Sequence, residues 1–172
     1  MPRTFFRSQS PGCGALFFPA RMGRIFVAGV FMSNEEAGIK MMSLEEANAL
    51  LPQVHLSLKT LRDQRSKILR TQAQIEIEEM TGSDRGGDLT APAQKAIVAL
   101  MENFHAQTRA FEQEMEKLFR TGAQLKDLDS GLVDFYSRRD GEIVFLCWKE
   151  GEAEILYWHS LQGGFQNRRP LV

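Results

Sequence analysis

From Ser43 onward the apolar positions fall into two seven-residue rhythms and then three short runs. The first rhythm is Leu44, Ala47, Leu51, Val54, Leu58 and Leu61, weakening through Arg65 to Ile68 and Ile75. Steps of three and four residues place these side chains on one narrow stripe, a coiled-coil-like seam. Ser43 and Glu46 have the spacing of a capping box, so the spacing predicts a helix over about 43–80. Pro52 removes one backbone donor and should kink it near its start. The second rhythm is Ile97, Met101, Phe104, Thr108, Phe111, Met115 and Leu118. Thr90 and Pro92 open this helix and Gly122 closes it, over about 91–121. A polar loop from Thr81 to Asp88 folds the two into a long antiparallel hairpin.

The last third changes period. Leu132–Ser137, Glu142–Lys149 and Glu152–His159 read as strands separated by Asp140-Gly141 and Glu150-Gly151. The expected class is α+β: a helical hairpin followed by a three-stranded antiparallel meander at about 132–159. If both turns hold two residues, Ser137, Phe135 and Val133 face Val144, Leu146 and Trp148. Those in turn face Tyr157, Ile155 and Ala153. That apolar face should pack on the helices. The other face carries Asp134, Cys147 and Glu154 in one row, Leu132, Lys149 and Glu152 in the next, and Tyr136, Phe145 and Leu156 beyond. Its aromatic half needs a cover: the tail after His159, a partner or a ligand.

Residues 1–40 differ in kind. They are rich in Phe, Gly and Arg, with no acid before Glu35. Five basic residues against two acidic give this segment +3, leaving −4 for the rest of a chain of net charge −1. Ile25–Met32 is about half a membrane span, and the prolines spoil an amphipathic presequence. The expectation is an extension lying outside the fold, with translation starting at Met41 or Met42 and a single domain over 41–172. An acidic body argues against nucleic acid as a partner, and no membrane partner is expected. Cys13 and Cys147 are too far apart to read as a disulfide framework, and a reducing cytoplasm suits them.

Chemistry is sparse. Phosphate-loop, dinucleotide and zinc-helix motifs do not occur in the sequence, and no cofactor is expected. Asp134, Cys147, Lys149, Glu152 and Glu154 can converge on one sheet face. A salt-bridge ladder explains them more simply than a metal or acid/base site. His159 falls on the opposite face in this register, so it cannot serve Cys147 as a base. Arg168 and Arg169 in the tail suit an anion, with His159 nearby in the chain. Trp148 and Trp158 complete the candidate binding residues. Leu51, Leu58, Leu61, Met101, Phe104, Phe111, Met115 and Leu118 form the hairpin seam. A small sheet cannot cover so long a hairpin, so a homodimer closing a four-helix bundle is expected.

Ser43-Leu-Glu-Glu-Ala-Asn-Ala-Leu-Leu-Pro52, Gly131-Leu-Val-Asp-Phe135, Leu146-Cys-Trp-Lys149, Gly151-Glu152, Trp158-His159 and Phe165 with Arg168 together resemble the prokaryotic family called domain of unknown function 2203. The resemblance runs from Ser43 to the end. It implies a small bacterial or archaeal protein with a helical hairpin and a C-terminal sheet, and it implies no activity. It draws attention to Asp134, Trp148, Glu152, Trp158, His159 and Arg168. The function expected from all of this is a non-enzymatic dimeric module that binds a protein partner or a small ligand. The alternative is a small metal-dependent or acid/base enzyme built on the polar residues of the sheet.

Overall fold

A computed structural model of the protein describes residues 39–84 and 86–172. The expectation for residues 1–40 therefore lies, apart from Ile39 and Lys40, outside the described residues. Helix α1 spans Leu44–Thr81 and α2 spans Ala91–Arg120. Both halves of the capping box form at Ser43 and Glu46, and α1 runs on through Pro52. Gly122, just beyond the end of α2, has φ 99°, the left-handed conformation that suits a helix-ending glycine.

The sheet has five strands: β1 Ala123–Asp127, β2 Leu132–Arg139, β3 Glu142–Lys149, β4 Tyr157–Ser160 and β5 Arg169–Pro170. They are ordered β1-β2-β3-β4-β5, each antiparallel to its neighbour. The expectation of three strands is thus corrected at both edges. β1 is short and follows α2 directly, so its alternation of Ala123 and Leu125 with Gln124 and Lys126 was hidden behind the helix end. β5 contains only two residues and carries no periodic signal of its own.

The β2–β3 register agrees with the sequence reading: Val133, Phe135 and Ser137 stand opposite Trp148, Leu146 and Val144. Asp140 and Gly141 both take positive φ, as a two-residue hairpin turn demands. The β3–β4 register is corrected. Val144 stands opposite Ser160 rather than Tyr157, and Leu146 opposite Trp158 rather than Ile155. The chain does turn tightly at Gly151, but Ala153–Leu156 then leaves the sheet and β4 begins only at Tyr157. The cause lies far away in sequence. Ile155 is drawn into the core, where its amide donates to Asn48 Oδ1 of α1 at 2.8 Å. The resulting slip of three residues is odd, so it moves every β4 side chain to the opposite face.

The inner face of the sheet packs on the first half of the hairpin. Ala47, Leu51, Val54, Leu58 and Leu61 of α1 and Leu118 of α2 meet Val133, Phe135, Leu146 and Trp148. Phe111 and Met115 pack against the same cluster. Just ahead of α1, the Met42 amide donates to the Tyr136 carbonyl oxygen at 2.8 Å and Ser137 Oγ donates to the Met42 carbonyl oxygen at 2.7 Å. Those bonds pin the start of α1 to β2 and fix which side of the sheet the hairpin covers.

Candidate functional site

The outer face of the sheet is where chemistry gathers. Asp134 of β2 stands opposite Cys147 of β3, and His159 of β4 stands opposite Phe145 of β3. The slip in β4 puts all three on the same side. They are almost fully enclosed: Cys147 is 0%, Asp134 2% and His159 3% exposed. One donor atom from each lies within 4.8 Å of the other two. Among the described residues this is the one cluster of three such side chains spaced to share a cation.

The hydrogen bonds set the protons. His159 Nδ1 lies 2.8 Å from the Ser160 carbonyl oxygen, which can only accept, so Nδ1 carries a hydrogen. The other ring nitrogen, Nε2, faces Asp134 Oδ2 at 3.2 Å. In a neutral ring Nε2 would present a lone pair to a carboxylate oxygen, so a proton or another cation belongs between them. Lys126 Nζ stands 3.9 Å from the same oxygen and 4.4 Å from the centre of the Phe145 ring. Asp134 Oδ1 is buried with no hydrogen-bond partner. Leaving such an oxygen unsatisfied costs about 1–3 kcal/mol, more for a charged group. Burial, then the Asp134 charge and a hydrogen bond from the thiol to Asp134, push the Cys147 thiol up to about 12, with Arg168 pulling the other way.

A second group forms the rim. Glu152 Oε1 accepts from Arg168 Nη1 at 2.9 Å, and Glu152 Oε2 accepts from the Lys149 amide at 2.8 Å. The Arg168 guanidinium lies over the rings of Phe165 and Tyr157, 3.9 and 4.5 Å from their centres. Lys149 Nζ is 5.5 Å from the Phe165 centre. The tail after β4 thus folds back beside the cluster and is held by an ion pair and stacked aromatics.

The sequence-derived candidates therefore separate. Asp134, Cys147 and His159 come together, against the expectation that His159 faces away. Glu152, Lys149 and Arg168 sit at the rim, Glu152 in a loop rather than on a strand. Glu154 is exposed in the same loop. The expected salt-bridge ladder of Asp134, Cys147, Lys149, Glu152 and Glu154 does not form, because Asp134 and Cys147 are buried, Glu154 is off the sheet and Glu152 pairs with Arg168. Trp148 belongs to the inner core, with its indole nitrogen donating to the Glu152 carbonyl oxygen at 2.9 Å. Trp158 is half-buried on that inner face, flanked by Arg139 and Arg169 at 5.1 and 5.5 Å. Sequence reasoning misses Lys126 and Ser160. Lys126 was hidden with β1, and the role of Ser160 depends on the β4 register.

A family model described as "Uncharacterized conserved protein (DUF2203)" matches residues 40–171. The chain belongs to the DUF2203 family. The match starts just ahead of the α1 cap and ends in the tail beyond β5, so the DUF2203 region takes in both helices, the whole sheet and the Asp134–Cys147–His159 cluster. No curated protein and no solved structure matches this DUF2203 chain. Among the described residues no helix is long and apolar enough to cross a membrane.

Proposed function

We propose that this chain is a non-enzymatic binding module that pairs with a second copy through the far half of its helical hairpin. The observation that carries this reading is the apolar surface left beyond the reach of the sheet. On α1, Leu69, Ala73, Ile77 and Met80 recur at steps of four, four and three on one helix face. Leu69, Ile77 and Met80 are exposed, Ile77 at 58% and Met80 at 83%. Val98 and Met101 are exposed on the neighbouring stretch of α2. An apolar surface of this extent on a helical pair suits a bundle with a second hairpin. Leu51, Leu58, Leu61 and Leu118 are taken up by the chain's own core, and Phe111 and Met115 pack against it. The pairing surface therefore lies further out than the seam as a whole suggested, towards Met101 and the half-buried Phe104.

The acid/base form of the enzyme alternative has weaker support. The Cys147 thiol is enclosed, and both ring nitrogens of His159 are occupied, by Ser160 and Asp134, so neither is placed to take the thiol proton. A reducing cytoplasm fits a buried free thiol.

The test is light scattering of the full chain across protein concentration, with Ile77→Asp and Leu69→Asp as variants. Both positions are exposed, so the fold should survive, as far-ultraviolet circular dichroism would show. A wild-type dimer converted to monomer by either change supports the reading. A wild type that stays monomeric at tens of micromolar (roughly 10⁻⁵ M, the weak end of specific association) refutes it.

A further inference from the structure

Three neighbouring strands deliver a carboxylate, a thiol and an imidazole into one enclosed volume on the outer sheet face, independently of any pairing of hairpins. We propose that Asp134, Cys147 and His159 form a binding site for a single divalent transition-metal ion, with Zn²⁺ the ion their donor set fits. The ligands are a carboxylate oxygen of Asp134, Sγ of Cys147 and Nε2 of His159.

Four observations carry this site. The donor types are right: thiolate, imidazole and carboxylate all bind zinc at about 2.0–2.3 Å, whereas magnesium and calcium take oxygen alone. The spacing is right. Tetrahedral bonds of those lengths separate ligand atoms by roughly 3.3–3.8 Å. Here Nε2 and Oδ2 are 3.2 Å apart and all three donors lie within 4.8 Å, so small side-chain rotations close the shell. The histidine is prepared, because its Nδ1 is bound to a backbone carbonyl and its Nε2 is turned inward, the arrangement that orients zinc-binding imidazoles. Finally, Asp134 Oδ1 is buried and without a partner. A proton shared by Nε2 and Oδ2 would satisfy that pair, and the Cys147 thiol proton can turn towards the carboxylate; one metal ion takes the place of both protons. A metal ion reconciles the carboxylate with both neighbours.

The charges also balance. Asp134 and a Cys147 thiolate supply two negative charges to a dication, with His159 neutral. Binding transfers the thiol proton to solvent and forms the metal–sulfur bond, with no change of oxidation state. Lys126, whose side chain is partly exposed at the edge of the cluster, can withdraw into water as the ion enters. Three protein donors leave the fourth tetrahedral position for water.

Cobalt(II) is the probe, because a thiolate ligand gives it a near-ultraviolet charge-transfer band that oxygen and nitrogen ligands do not. The chain has two cysteines, so full-length Cys13→Ser leaves Cys147 as the sole sulfhydryl. After chelator treatment, titrating this protein with Co²⁺ should raise the band to saturation at one equivalent. Zn²⁺ should abolish it, and Cys147→Ala introduced into the same protein should never develop it. A folded Cys13→Ser protein that shows no band, or a band that survives in Cys147→Ala, overturns the site. If Cys147→Ala does not fold, the single-thiol titration decides alone. Light scattering on the same samples keeps the two proposals apart: a cobalt-free dimer removes only the metal site, and a cobalt-loaded monomer removes only the pairing.

Discussion

Glu150 shows how one side chain can join two halves of the fold. It sits at the turn after β3, where Oε2 meets Arg62 at 2.5 Å and Oε1 meets His55 at 3.0 Å, both on α1. The Arg62 hydrogen bond, helped by the Arg62 and His55 charges, holds the Glu150 carboxyl below its ordinary 4.5 against the opposing effect of burial. A depressed carboxylate contributes stability that is complete above its unfolded value and is lost as the pH falls through the folded one. Glu150→Gln should therefore cost about 0.5–1 kcal/mol near pH 7. It should cost progressively less as the pH drops below 4.5. Urea unfolding at several pH values checks this; a deficit independent of pH would mean that the ion pair is not the source. In the sequence Glu150 reads only as a turn residue. Its partners lie 88 and 95 positions earlier, and no local pattern announces them.

Among the elements, β4 is the one on which the site depends, and β4 is placed by Asn48. The Asn48 side chain accepts from the Ile155 amide across the core and so takes Ala153–Leu156 off the sheet. Leu156 in turn accepts from the Leu171 amide at 3.0 Å, which ties the tail to the same loop. Asn48→Ala leaves the Ile155 amide buried without a partner and should destabilise the protein by about 1–3 kcal/mol. Faster hydrogen exchange should appear at Ile155 and spread along β4. If exchange there is unchanged, Asn48 is not what sets the register. The same contrast explains what was legible. The Ser43–Glu46 capping box, the helix lengths and the Asp140-Gly141 hairpin are local, and their residues point to them directly. The β3–β4 register was not legible, because a tertiary bond competes with the two-residue turn that Glu150-Gly151 suggests. β1 and β5 have too few residues to show a period.

At the scale of the molecule, stability should be uneven. The cluster joining helices to sheet uses α1 only as far as Leu61 and α2 only from Phe111 onward. Beyond it the helices hold each other through Ala93, Ile97 and a Thr71–Gln107 hydrogen bond of 3.1 Å. Fewer buried apolar contacts mean a lower local opening free energy. In dilute protein, amides over 66–81 and 91–104 should exchange faster than those over 47–61 and 111–120. Raising the concentration should slow the outer set alone if a second hairpin covers it. Equal protection in protein that light scattering shows to be monomeric would mean that the gradient does not exist.

The sequence by itself determined the two helices, the Ser43–Glu46 capping box, the inner part of the seam that became the core, the β2–β3 register and the family. These follow from periodicity, turn chemistry and motif, all carried by residues near one another in the chain. Thr90 stands at the start of α2 but makes no side-chain cap hydrogen bond. Tertiary structure alone decided that the outer face of the sheet holds an enclosed Asp134–Cys147–His159 cluster. In the register expected from the turn, His159 lies on the wrong face. It reaches the right one because burying Ile155 and satisfying its amide with Asn48 is worth more than a tight β3–β4 hairpin. In a sheet of period two, a slip of an odd number of residues is enough to turn a histidine from one face to the other.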